Sequence, residues 1–572
     1  MNHSYALAMD RTKSVERIKH IGIRSCLITA LVLNFLLATS YTANAQWSTD
    51  PAAPMVVCNA TGVQTGLKAI SDGGHGWFTF WIDRRSAQDH GELYGQHVDS
   101  AGYASWTANG QLIESVPDSN MTDLSPLLMP DGTLLVAYTY QATNGSGSVI
   151  KVVRLDADGN ELWAAPVEIV RASNGPLGNI NSFGRLKTLL SGDSAYIAWS
   201  YTPQGGNSRF AYERIAPNGG VQFGSPGNGV PNTDYSGQLS IHDDLAGGII
   251  FVAHVGIGAP LMAIRMNAAG TAVWPSGLLV STNTTGMQYP YASDIAQNTA
   301  MVENGELLTV FMSGGNLPMA RYDMSGAFVW TPTPYFACNE SHGQVEPRLV
   351  VHDGHFFVGW GDNRPPASNE DMYVQKFDMD GTPLWAADGV PVIQTNTYIP
   401  TPDLVPSDSG GVVATFDGNL LGFAAMRLRS DGTPAWPAPV LFSTVAFNPF
   451  YEARVVLSDG EGGVVSFWET AGNDLYAARV YRDGSLDGSV GIADHTSAHH
   501  INAWPNPAKD GINFQLPLNE IPLRIEVVDM LGATEHVIAE GNSIATNQLA
   551  AGAYTARIHT AGKVFTARFI KQ

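Results

Sequence analysis

The sequence predicts an all-β protein: an eight-bladed β-propeller followed by a small C-terminal β-sandwich. Three observations predict it. The chain of 572 residues is 44% hydrophobic yet only 15% charged, carries 60 Gly and 33 Pro, and sets Val, Thr, Tyr, Phe and Trp between turn residues. That is a composition of strands and tight turns. One unit recurs eight times between residues 46 and 490, and near residue 503 it gives way to a different alternating pattern. A length far above the size at which one core stops growing requires a very large repeat domain or several domains.

Residues 1–45 stand apart from the fold. Arg11, Lys13, Arg17, Lys19 and Arg24 precede an apolar run from Cys26 to Ala38, and Ala43-Asn44-Ala45 leads into Gln46. This is the charge, length and small-residue order of a secretory signal, and the apolar run is too short to span a bilayer. Once it is removed, no transmembrane segment is expected. Its loss takes five of 31 basic and two of 52 acidic residues, leaving a net charge of about −24. Such a surface repels phosphate backbones and anionic lipid, which argues against nucleic-acid or membrane-surface binding.

Two cysteines remain in the mature chain, in Val56-Val57-Cys58-Asn59 and Phe336-Ala337-Cys338-Asn339. They occupy one place in two copies of the repeat. Equivalent positions of non-adjacent blades lie beyond the roughly 7 Å between Cα atoms that a disulfide tolerates, so two free, buried thiols are expected.

Each repeat ends in a Gly turn, usually followed four residues later by a large apolar residue. The pairs are Gly102 with Trp106, Gly159 with Trp163, Gly219 with Phe223, Gly270 with Trp274, Gly326 with Trp330, Gly381 with Trp385 and Gly432 with Trp436; Gly484 has no such follower. An earlier turn opens each unit: Asp72-Gly73, Asp131-Gly132, Gly192-Asp193, Gly247-Gly248, Asn304-Gly305, Asp353-Gly354, Gly410-Gly411 and Asp459-Gly460. These dipeptides supply the positive φ of tight hairpins. Apolar strands follow them, such as 134–138, 196–199, 356–360 and 464–468, and after a loop of variable length comes an alternating strand, as in 93–98 and 372–377. With a short strand before the first turn (348–351) and one after the Trp (390–393), each unit has about four strands, the content of a propeller blade. The segment 54–57 has the look of the strand otherwise found after each Trp, and the last unit lacks a convincing one. The chain start is therefore expected to complete the last blade and remove the exposed edges.

In an up-and-down blade both turn classes fall on one rim and the variable loops on the other, and variable loops on a rigid scaffold are where binding usually resides. Candidate ligand-binding residues follow from that rim. Asp83 and Arg85 in Trp81-Ile82-Asp83-Arg84-Arg85, and Asp362 and Arg364 in Trp360-Gly361-Asp362-Asn363-Arg364, open the longest loops in units one and six. Each Asp and Arg either pair and fix the loop or present a guanidinium to a ligand, and pairing is the commoner use. Tyr289, Tyr291, Tyr398, Phe450 and Tyr451 precede first strands on the same rim, placed to stack on sugar rings or to pack between blades.

Catalytic and metal motifs are weak. The Gly-to-Trp turn resembles the Asp box of sialidases, but Asp380-Gly381 is adjacent where the box separates the two residues, and no arginine cluster with Tyr and Glu partners can be assembled. Asp156-Ala157-Asp158-Gly159 and Asp378-Met379-Asp380-Gly381 are fragments of a calcium loop without its closing acidic ligand, and read better as turns. His495, His499 and His500 read as a solvated linker rather than a metal site. The sequence contains no His-Glu-x-x-His, no Gly-x-Ser-x-Gly and no phosphate-cradling Gly-Lys-Ser motif. No cofactor or metal is expected, and the catalytic residues, if any, are unknown.

A linker, 491–502, leads to the C-terminal segment, 503–572. Trp504-Pro505-Asn506-Pro507 opens it, strands follow at 512–516 and 523–529, then Val528-Asp529-Met530-Leu531-Gly532 and Leu549-Ala550-Ala551-Gly552-Ala553-Tyr554, and a basic apolar strand ends it. Six or seven short strands of this kind read as a compact sandwich. The same residues resemble the type A C-terminal sorting domain of the type IX secretion system. That family opens with Tyr-Pro-Asn-Pro, here with Trp504 for Tyr, and carries a hydrophobic-Asp-x-x-Gly segment (Asp529, Gly532) and a Leu-x-x-Gly-x-Tyr segment (Leu549, Gly552, Tyr554). The resemblance implies export to the periplasm by the signal, then passage across the outer membrane directed by 503–572, with the type IX machinery as partner. The product is then secreted or held at the outer-membrane surface. Together these readings give a secreted or cell-surface propeller that binds a glycan or protein ligand through its variable-loop rim. The alternatives are a polysaccharide-acting hydrolase or lyase with its site at the channel, and a structural surface component.

Overall fold

A computed structural model describes residues 47–572 apart from 88–89, 144–146, 173, 176–177, 204–205, 225–226, 232–235, 256–260, 275–276, 282–297, 303–304, 331–334, 366–369, 395–402, 419–421, 446–453, 487–497, 502, 517–520, 523, 530–533, 536, 538 and 561–563. The signal-like leader and Tyr289, Tyr291, Tyr398, Phe450 and Tyr451 lie outside the described residues. The described chain is all-β, and no helix in it is long and apolar enough to cross a membrane. It divides into two compact units, at residues 487 and 488.

The first unit is built from eight antiparallel sheets among the described residues, taken here as sheets one to eight: 64–114, 119–171, 174–229, 236–281, 299–336, 344–393, 403–443, and 454–480 joined by Met55–Cys58. In sheets one to seven strand order follows chain order, so each is an antiparallel meander, and sheet eight departs from it only in its outer strand. Sheet three gains a fifth strand from the two residues Asn174–Gly175. The first strands of neighbouring sheets touch in succession from sheet one through sheet eight, and sheet eight touches sheet one again. This gives a radial, propeller-like arrangement. Sheet eight takes its outer strand from the chain start, with Met55 opposite Ala477 and Val56 opposite Tyr476.

The turn residues behave as their chemistry demands. At the late turns, from Gly102 to Gly484, φ lies between +80° and +87°, a region where glycine alone carries no Cβ penalty. A second requirement acts on the same atom: the aromatic side chain of the preceding sheet lies over the glycine. A Cβ on Gly432 would sit 2.9 Å from the Trp385 ring, and one on Gly159 3.1 Å from that of Trp106. The indole N–H then donates to the carbonyl two residues before the glycine: Trp106 to Ala157 (3.0 Å), Trp330 to Met379 (2.9 Å), Trp385 to Ser430 (3.0 Å) and Trp436 to Arg482 (3.0 Å). The Gly-to-Trp spacing is thus a fastening between neighbouring sheets.

Gly484 has no aromatic follower, and the structure supplies one from the other end of the chain. Trp47, buried, donates from Nε1 to Ser100 O at 2.9 Å, lies against Gly102, and meets Trp77 edge-on at 5.7 Å between centroids. It occupies over sheet one the place that Trp106 occupies over sheet two. Ring closure therefore uses an indole as well as a strand.

A third column completes this rim. At one equivalent place the third strands carry Arg154, Arg214, Arg265, Arg321, Lys376, Arg427 and Arg479, with His97 there in sheet one. Each strand-three arginine that crosses to the next sheet reaches its late turn: Arg154 to Pro217 O, Arg214 to Ala268 O, Arg265 to Met324 O (3.1 Å), Arg321 to Met379 O and Arg479 to Ser100 O (2.9 Å). Lys376 reaches Gly410 O of sheet seven at 3.0 Å. Carboxylates of the early turns hold several of these cations, as Asp459 holds Arg479 (2.8 Å) and Asp244 holds Arg265 (3.1 Å). The carbonyls of Ser100 and Met379 thus each take an indole and a guanidinium from the sheet before.

Among the described residues the second unit has two sheets, one of five strands and one of four, around a shared core that includes Ile512, Phe514, Val527, Ile544, Leu549, Tyr554, Ile558, Phe565 and Phe569. Its first strand, Ala498–His500, was expected within a linker. Instead it pairs in parallel with Val564–Lys571, with His499 opposite Phe565, and so covers the edge that the last strand would otherwise expose.

Candidate functional site

The rim opposite the turns begins where second strands run into variable loops. In sheet one, Asp83 is fully buried and Arg85 grips it with both arms, Nε to Oδ1 at 3.0 Å and Nη2 to Oδ2 at 2.6 Å. Trp81 Nε1 donates to Asp83 Oδ2 at 2.9 Å, and the Arg85 backbone N–H donates to Oδ1 at 2.9 Å. The guanidinium lies 4.0 Å over the Tyr94 ring and donates to Asn109 O (2.7 Å) and Cys58 Sγ (3.4 Å). Sheet six repeats the cluster: Arg364 to Asp362 at 2.9 and 2.6 Å, Trp360 to Asp362 at 2.8 Å, Arg364 over Tyr373 at 4.0 Å, then Asp388 O at 2.9 Å and Cys338 Sγ at 3.3 Å. The structure therefore brings each predicted Asp and Arg together, and their contacts are internal.

Each cluster joins two sheets. Cys58 ends the outer strand of sheet eight and Cys338 follows the outer strand of sheet five, and each is received by the Asp and Arg of the sheet that comes next. Both thiols are buried and free, and burial pushes both up to about 11. A thiol held there is a packing group rather than a nucleophile.

First strands carry bulges near the same rim. Gly66, Arg185 and Glu346 sit in the two-residue gaps of sheets one, three and six with φ of +68°, +52° and +51°. Bulges re-aim side chains, and positive φ in a non-glycine residue is a cost borne where the structure over-determines it. The following N–H is taken by a carboxylate of the preceding sheet: Leu67 N to Glu469 Oε1 at 2.9 Å, and Leu186 N to Asp123 Oδ2 at 2.8 Å. In sheet six this residue is Pro347, which has no N–H to give. Burial, with the charge of Glu346 nearby, pushes Glu370 up to about 7. Deeper on the first strands, Asp403 lies between Arg348 (3.7 Å) and Arg454 (2.6 Å), joining sheets six, seven and eight. His242 is held near Ser240 and Thr299 at 2.7 Å each, and burial pushes it down to about 4.

Arg84 differs from its neighbour Arg85. It is half-buried, and among the described residues its guanidinium bonds only neutral groups, Nη1 to Thr65 Oγ1 at 3.3 Å and Nη2 to Asn120 Oδ1 at 3.1 Å. Burial lowers its pKa, with no carboxylate among the described residues to offset the loss of water. Sequence reasoning passed over it because a single Arg beside a pairing motif carries no pattern of its own.

No group of three or more His, Cys, Asp or Glu side chains suited to a metal occurs among the described residues. The calcium-like fragments are turns: Asp156 Oδ1 accepts from the N–H groups of Asp158 and Asn160 (2.9 Å each), and Asp378 Oδ1 from those of Asp380 (3.0 Å) and Thr382 (2.8 Å).

In the second unit the sorting-motif residues take different positions. Leu549 and Tyr554 are in the core, and Tyr554 Oη donates to Ala550 O at 3.0 Å. Trp504 is exposed, and Asn506 bridges to the last strand, donating to Arg568 O (3.2 Å) and accepting from Ile570 N (2.9 Å). Asp529 ends the strand Arg524–Asp529 opposite Tyr554, and Gly532 lies outside the described residues. Residues 502–572 match the family model described as a secretion system C-terminal sorting domain. This segment is a type IX sorting domain. Such a domain implies handling by that secretion system and export to the cell surface or beyond.

No curated protein matches the chain. Several solved structures show similarity at low identity. A Dyadobacter fermentans protein of unknown function is 11% identical over 64% of this chain and 93% of its own, with a TM-score of 0.32. A Trypanosoma rangeli sialidase in complex with the inhibitor DANA is 10% identical over 92% and 88%, TM-score 0.34. Prolyl oligopeptidase B from Galerina marginata is 12% identical over 71% and 56%, TM-score 0.39.

Proposed function

We propose that the chain is an eight-bladed β-propeller, followed by a C-terminal β-sandwich, which the type IX system delivers through the periplasm to the cell surface or the medium, where it binds a glycan or protein ligand through its variable-loop rim. One observation carries the choice of rim. The turn rim is occupied by bonds between sheets, with indole, guanidinium and ammonium donors directed at the turns of the next sheet. The opposite rim is left to loops of unequal length and to the first-strand bulges, the arrangement in which a rigid scaffold presents a site.

Asp362 and Arg364 then support that rim by fixing where the 363–370 connection of sheet six begins, and Asp83 and Arg85 by fixing the end of the hairpin in sheet one, where the strands run on to Ala87 and His90 and the long loop expected from sequence is not formed. Tyr289, Tyr291, Tyr398 and Tyr451 are the aromatic groups proposed to meet the ligand. Glycan-array binding by the mature full-length protein tests this reading. Retention of a defined glycan set, lost on replacing those tyrosines by alanine, is the expected result. Binding unaffected by all four replacements removes the rim assignment.

A second reading has one observation in its favour. Glu370, raised to about 7 beside Glu346, has the protonation behaviour of a general acid in a two-carboxylate site. A polysaccharide shortened by the protein, with loss of the activity in Glu370→Gln, replaces the binding reading with a hydrolase or lyase.

A further inference from the structure

We infer that Arg84, with Thr65 and Asn120, forms an anion site on the variable-loop rim that takes the carboxylate of an acidic saccharide. The inference rests on the glycan reading above and names the ligand chemistry at one point of that rim.

The site is built from three directions. Arg84 N donates to Val63 O at 2.9 Å, in the segment that arrives from the ring-closing strand. Thr65 stands on the first strand of sheet one and Asn120 on that of sheet two, and these fix the two arms of the guanidinium. Asn120 Oδ1 also accepts from Gly91 N at 3.1 Å, so the amide is itself held in place. A guanidinium has five N–H donors, and here two are engaged by protein.

Chemistry then selects the occupant. A half-buried guanidinium has given up part of its hydration, and an anion that accepts two of its remaining N–H groups in parallel recovers it best. The adjacent arginine has that partner already in Asp83, whereas Arg84 has none among the described residues. The protein as a whole is strongly acidic, so a polyanion is repelled at long range and one isolated carboxylate on a neutral body is favoured. The flanking hydroxyl and amide suit the hydroxyl groups of a sugar.

The test is isothermal titration of the mature full-length protein with a disaccharide bearing one glucuronate, its hexose counterpart, and an acidic peptide. The uronate should bind about tenfold more tightly than the hexose. Arg84→Gln, which removes the charge, should erase that preference by bringing uronate affinity down to that of the hexose, and Arg84→Lys should restore part of it. Equal binding of both sugars by the wild type, or a preference that persists in Arg84→Gln, overturns this inference and leaves the glycan reading intact. Failure of both sugars to bind overturns the glycan reading itself, and the site with it. Binding of the acidic peptide instead, lost in Arg84→Gln, overturns the saccharide assignment.

Discussion

Asp83 is where burial and pairing compete most directly. Burial drives its carboxyl upward, but hydrogen bonds from Arg85 and Trp81 and the guanidinium charge outweigh it and hold the group below the usual carboxylate range. A depressed folded-state pKa contributes stability that is present above the unfolded value near 4 and is lost as pH falls through the lower folded value. Asp83→Asn should therefore lower the unfolding free energy by about 3 kcal/mol at neutral pH, since it leaves Arg85 without its counter-charge. The acid limb of the stability curve should flatten in the same variant. Urea melts from pH 7 to pH 3 check both, and an unchanged acid limb removes Asp83 from the account. The pair was legible in the sequence because Trp-x-Asp-x-Arg occurs in two units. The carbonyls that the two arginines also bind were not, because Asn109 O and Asp388 O are backbone groups and any residue supplies a carbonyl.

At the scale of the element, the late turn joins three columns: the glycine, the aromatic of the sheet before, and the strand-three cation of that same sheet. The first two were legible because positive φ and a covering ring each restrict the residue type at one position. The cation column was not, since its acceptor is a turn carbonyl in another unit and leaves no mark on sequence. Trp47 escaped for a different reason: it belongs to sheet eight in space and to the chain start in sequence. Trp47→Ala should cost about 3 kcal/mol, the usual loss for a buried indole, and the damage should be local. Hydrogen exchange should accelerate in Met55–Cys58 and Leu475–Val480 and leave the strands of sheets three and four protected. Uniform acceleration across all eight sheets would mean that Trp47 supports the whole ring rather than its closure.

At the scale of the molecule, the two units have separate cores and separate hydrogen-bonded sheets. Residues 503–572 carry six basic and six acidic side chains, so the net negative charge belongs to the first unit. The address is confined to the second unit. The address cannot be cut at its sequence motif without damage, because Ala498–His500 lies before Trp504 and pairs along the last strand. Ending the chain at residue 487 removes the second unit whole and leaves every strand of the eight sheets in place. The shortened protein should melt at the same temperature as the first unit of the full chain and should accumulate in the periplasm instead of at the surface or in the medium. Fractionation with detection of the first unit decides the matter: surface display at the full-length level would take the sorting role away from residues 502–572, and a lowered melting temperature would show that the two units depend on each other for stability.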